Sequence, residues 1–133
     1  MRKILIGLAM LALVGCEAKS KPNLTPEQVE TAKKEWTGTW RGAWGGGNDC
    51  GSSVNVSEVD GSTARGKYSW DGGCGAAAGS MVDSSAQIEG KKLKVDLTWG
   101  TTVVYTMRDD GNLDGFWQSK RQGASAKAVF YKQ

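Results

Sequence analysis

Three hydrophobic periods follow one another along the chain. Ile4 to Val14 is an unbroken apolar run behind Arg2 and Lys3. Leu24, Val29, Ala32 and Trp36 then recur at the spacing of a narrow helical stripe. From Trp36 onward the period drops to two, as in a strand with one buried face. The helix has a marked start: Thr25 is a capping residue, Pro26 suits the first helical position, and Gln28 completes a capping box. Leu24 and Val29 are placed for a hydrophobic staple, and the pattern carries the helix to about Glu35.

The alternating region divides into eight short segments. Trp36, Gly38, Trp40, Gly42 and Trp44 share one face of the first. Residues 52–59 carry Val54 and Val56, Asp60-Gly61 is a hairpin signal, and residues 62–70 return with Ala64, Gly66, Tyr68 and Trp70 on one face. Residues 80–89 precede the turn Gly90-Lys91, and residues 92–99 alternate Leu93, Val95, Leu97 and Trp99 against Lys92, Lys94 and Asp96. Val103, Tyr105 and Met107 mark residues 101–108, and Leu113, Gly115 and Trp117 mark residues 113–120. In residues 125–131, Ala126, Ala128 and Phe130 alternate with Lys127, Val129 and Tyr131.

No helical pattern is left to supply parallel crossovers, so the sheet is expected to be antiparallel. The expected fold is all-β: a small up-and-down antiparallel barrel of about eight strands, preceded by one short α-helix. A two-sheet β-sandwich is the competing arrangement. Short connections and glycines inside strands favour the barrel, because closure removes exposed edges and glycine allows tight bends. Gly38-Thr39-Trp40, opening the first strand after a short helix, is similar to the Gly-x-Trp signature of lipocalins. Thr37-Gly38-Thr39-Trp40 also resembles the first strand of avidin-type barrels. The resemblance implies a calycin-like barrel with Trp40 packed across its closed end under a basic residue, for which Arg121 is the candidate. It covers a few residues, and biotin binding is not carried over.

The opening run is too short to span a bilayer, which takes roughly 20 apolar residues. Behind a basic end it fits the core of a secretory signal. Leu13-Val14-Gly15-Cys16, which closes it, resembles the lipobox of bacterial lipoproteins. That resemblance implies cleavage before Cys16, a diacylglycerol thioether on its sulfur and an acylated amino group, palmitate being one such chain. In Gram-negative members an Asp after the cysteine favours retention in the inner membrane. Glu17 stands there instead, which implies the outer membrane, facing the periplasm. The chain thus divides into a leader over residues 1–15, a lipidated N-terminus and polar tether over 16–23, and a domain over 24–133.

Composition changes the picture in three places. The net charge of +3 includes Arg2 and Lys3; without them 15 basic residues stand against 14 acidic ones, giving no electrostatic case for nucleic acid. Three cysteines are an odd number for an exported chain. With Cys16 taken by lipid, Cys50 and Cys74 remain as an expected disulfide between the loops flanking one hairpin, contributing roughly 3 kcal/mol by loop closure. Free thiols or a metal pair are the alternatives. Histidine is absent altogether, which removes the usual general base, the common nucleophile systems and most zinc sites. Ser84-Ser85 and Ser119-Lys120 read as surface dipeptides, so no catalytic residue, metal or cofactor is expected.

An eight-stranded barrel holds either side chains or one small ligand. Trp40, Tyr68, Trp70, Trp99, Tyr105 and Trp117 lie in the expected strands, mostly on apolar faces. They form either the walls of a site for a small apolar or aromatic ligand, or simply the core. The expected function is a lipid-anchored envelope protein with a lipocalin-like barrel that binds such a ligand. The alternative is an envelope interaction or inhibitor protein that presents its disulfide-tied loops to a protein partner.

Overall fold

The computed structural model of the chain describes residues 24–46, 50–74, 78–97, 100–121 and 123–133. The leader, Cys16 and the tether lie outside the described residues, as does Trp99.

Helix α1 spans Pro26–Trp36 and begins as its sequence dictates. The Thr25 hydroxyl accepts from the Gln28 backbone N–H at 3.1 Å, and the Gln28 side chain accepts from the Thr25 N–H at 2.9 Å. Eight strands follow: β1 Gly38–Ala43, β2 Gly51–Asp60, β3 Thr63–Trp70, β4 Gly79–Glu89, β5 Lys92–Asp96, β6 Thr101–Met107, β7 Leu113–Ser119 and β8 Ala124–Lys132. Each pairs antiparallel with the next in sequence, and β8 pairs with β1, closing the barrel. The all-β up-and-down barrel expected from the pattern is therefore the fold, and one continuous ring of strands replaces the sandwich alternative.

Closure depends on a glycine. Gly42 lies opposite Phe130 across the β1–β8 seam. A Cβ there would come within 2.5 Å of the Val129 carbonyl oxygen and 3.0 Å of the Phe130 ring. Gly61 and Gly90 turn the β2–β3 and β4–β5 hairpins with φ of 63° and 61°, where any other residue is strained.

Two tryptophans sit in elements other than the alternating pattern implied. Trp36 ends α1 rather than opening β1, because the helical stripe continues through it. Trp44 leaves β1 for a short 3-10 turn over Trp44–Gly46, with Gly45 at φ 78°. Strand β5 stops at Asp96, short of the expected residue 99.

The inward faces carry the core: Trp40, Val54, Val56, Tyr68, Leu93, Val95, Tyr105, Leu113 and Phe130 are all buried. Helix α1 docks at the end that carries the β2–β3 and β4–β5 turns. Glu35 and Lys91 pair across that join at 3.8 Å. The opposite end, where β1 leaves and β2 enters, is the far end.

Candidate functional site

The aromatic side chains form a column along the barrel axis. At the helix end Trp36 and Trp40 pack with ring centroids 6.5 Å apart. The Trp40 indole N–H donates to the Gly111 carbonyl at 2.9 Å, fixing the ring across the base. The basic group over it is Lys132, whose Nζ lies 5.3 Å from the ring centroid. Arg121, the residue expected there, lies instead in the turn between β7 and β8 at the far end.

In the middle Tyr68 stacks on Tyr105 at 6.4 Å, and Tyr105 meets the edge of Phe130 at 5.4 Å. The Trp44 ring returns from its turn to pack edge-on against Phe130 at 5.1 Å. Gly115 makes room for both rings, since a Cβ there would lie 2.9 Å from Phe130 Cε1 and from Trp44 Cη2. Trp36 is thus buried at the helix end, and the half-buried Trp44 packs against the core from the turn after β1.

The residues singled out from the sequence fall into two groups. Trp40, Tyr68 and Tyr105 come together in the buried column. Trp70 and Trp117 lie on inward positions near the far end, where they are half-buried; Met81 and Leu97 share that setting. Trp70 covers Gly79, whose Cβ would meet its ring at 3.0 Å. Trp99 lies outside the described residues. Ser119 is not the surface residue expected: it continues the inward parity of Leu113, Gly115 and Trp117 and is only 3% exposed.

The tyrosines are electrostatically unusual. Tyr68 is 3% exposed, and its hydroxyl has no hydrogen-bond partner among the described residues. Burial, reinforced by the nearby Asp83 carboxylate, pushes its ionisation far above the ordinary tyrosine range. Tyr105 is pushed up further still, by burial first and by Tyr68 second. Both are therefore neutral at every physiological pH. Among the described residues no three Cys, Asp or Glu side chains gather as a metal site.

Two depressions lie on the outside of the barrel rather than within it. One, of about 660 Å³, runs along α1 beside Gly61 and Gly90. The other, of about 870 Å³, crosses the outer face of β7, β8 and β1, lined by Ala43, Asp114, Phe116, Lys127, Val129 and Tyr131. Phe116 and Tyr131 are 36% and 57% exposed there. The sequence held a signal for this face. In β8 both parities are apolar, with Val129 and Tyr131 pointing away from Ala128 and Phe130. Comparison with protein-family models, curated proteins and solved structures finds no match for this chain.

Proposed function

We propose that this is a lipid-anchored envelope protein, held at the outer membrane through Cys16, whose barrel is a rigid scaffold for binding a protein partner on its outer surface. The observation that carries the reading is where the apolar side chains go. The axis is occupied by packed rings from Trp36 to Trp44, while Phe116 and Tyr131 stand exposed beside the 870 Å³ groove. Exposed apolar side chains gathered beside a groove are one form that an interaction site takes. A disulfide between Cys50 and Cys74 belongs to this reading. What supports it is that Cys50 is a half-cystine and that the Asp71 N–H donates to the Gly51 carbonyl at 2.9 Å, drawing the two flanking loops together.

The test is photocrosslinking in the cell, with benzoylphenylalanine placed at Phe116, at Tyr131 and, as a control, at Lys94, which is exposed on β5. One discrete protein adduct from the first two positions and none from the third supports the reading. Equal labelling from all three would sink it. Cys16→Ser should leave the leader uncleaved and the chain free of diacylglycerol, read by intact mass.

A second reading keeps a small apolar or aromatic ligand at the far end. It is favoured by the half-buried Trp70 and Trp117, which leave ring surface near the rim. Titration with naphthalene, followed by tryptophan fluorescence, separates the two: a saturable change at one equivalent supports the ligand reading.

A further inference from the structure

Strand β4 pairs with β3 along nearly all its length, from Gly79 opposite Trp70 to Gln87 opposite Thr63. Its other edge is different. Among the described residues, pairing with β5 covers Gln87, Ile88 and Glu89. The reason is local. At the bulge in β4, Asp83 Oδ1 accepts from the Ser85 N–H at 2.9 Å and from its hydroxyl at 2.8 Å. The Gln87 side chain donates to the Ser85 carbonyl at 3.1 Å. Ser85 thus has both backbone groups held by side chains, which compete with the ladder. Beyond it, residues 79–84 present a strand edge with no partner strand among the described residues.

Exposed edges are normally blunted by Lys, Pro or inward charge, because they template pairing with another chain. This edge reads Gly79-Ser80-Met81-Val82-Asp83-Ser84, with no Lys, Arg or Pro; its one charge, Asp83, is half-buried on the inward parity beside the bulge, and Val82 at the centre is 56% exposed.

We propose that this edge pairs with the same edge of a second copy of the chain, antiparallel about a two-fold axis at Val82. Directly opposed residues in such a pair must share a face, so the axis falls on a residue and not between two. An axis at Asp83 sets two carboxylates against each other, which is unfavourable. An axis at Val82 sets Val82 on Val82, Met81 on Asp83 and Ser80 on Ser84, with no like charges opposed. The interface is isologous and closes at two copies. A two-fold axis along the membrane normal also keeps both N-termini at one height, so two copies anchored in one bilayer can form it. In the ring of strands β4 lies opposite β8, so pairing here leaves the Phe116–Tyr131 groove open.

The experiment uses the full chain in its own membrane. Val82→Cys should give a disulfide-linked dimer under mild oxidation, at least tenfold above Ser125→Cys, which is exposed on β8. In detergent extracts Val82→Lys should lower the dimer fraction at least tenfold, with the thermal midpoint of the barrel unchanged. Coexpression of Val82→Lys with Val82→Glu chains should restore it as a mixed dimer. Three results overturn the proposal: no excess of dimer from Val82→Cys, a dimer indifferent to Val82→Lys, or crosslinks from Val82→Cys to a different protein alone.

Discussion

Two glycines and two tyrosines carry most of what single residues decide here. Gly115 sits under Phe130 and Trp44, so Gly115→Ala pushes a Cβ into both rings. Overpacking of this kind costs about 1–3 kcal/mol, and the expected outcome is a lower denaturant midpoint with an unchanged slope. Gly45→Ala, whose Cβ meets nothing within 4 Å, is a control that reports left-handed backbone strain alone, since its φ is 78°. Tyr68 and Tyr105 give the molecule an alkaline limit. Their ionisation is raised in the folded state, so the unfolded chain releases protons first. Their contribution to stability is intact below the unfolded value of about 10 and falls above it, at about 1.4 kcal/mol per pH unit for each group. A pH series of denaturant melts should therefore be flat on this account up to about pH 10 and then drop. Tyr68→Phe should halve that drop, and at neutral pH it should be neutral or stabilising, because it removes a buried hydroxyl with no described partner. A melt equally steep above pH 10 in Tyr68→Phe contradicts the assignment.

The elements are held by a cap at one end of the molecule and by ring packing at both. Thr25→Ala removes the acceptor for the Gln28 N–H and should cost about 1 kcal/mol. Trp36→Ala should cost about 3–5 kcal/mol, since the ring is fully buried against Trp40. Hydrogen exchange should show the Val29 amide losing protection in both variants, while the β6–β7 ladder keeps it. Most of this was legible in the chain. The cap was spelled out by Thr25, Pro26 and Gln28, and the inward faces of β3, β6 and β7 followed a strict period of two. The barrel followed from short connections with no helices to cross over. What escaped had physical reasons. Trp36 satisfies both the helical and the alternating pattern, so local spacing alone could not assign it. Trp44 returns to the axis from a glycine turn, where periodicity has no meaning. The early end of the β4–β5 ladder depends on side-chain bonds from Asp83 and Gln87, which no hydrophobic pattern reveals. Lys132, not Arg121, covers Trp40 because the base of the barrel is reached by the last residue of β8.

At the scale of the whole molecule, the proposed lipid at Cys16 and the described barrel suit each other. The anchor would supply location, and Trp40, Tyr68, Tyr105 and Phe130 are buried inside the barrel. The proposed binding surfaces both lie on the outside: the groove beside Phe116 and Tyr131 on one side and, on the other, the edge of β4 that has no partner strand among the described residues. The far end, with Trp70 and Trp117 half-buried, is where a small ligand would have to enter if the interior were in use. Native mass spectrometry of the full chain, extracted from its own membrane and then unfolded in the instrument, tests the lipid anchor and the unliganded barrel together. The predicted result is a chain that lacks residues 1–15, carries diacylglycerol on Cys16 and releases no small organic molecule on unfolding. A stoichiometric apolar compound released from the barrel, or a chain that keeps its leader and carries no lipid, would contradict it.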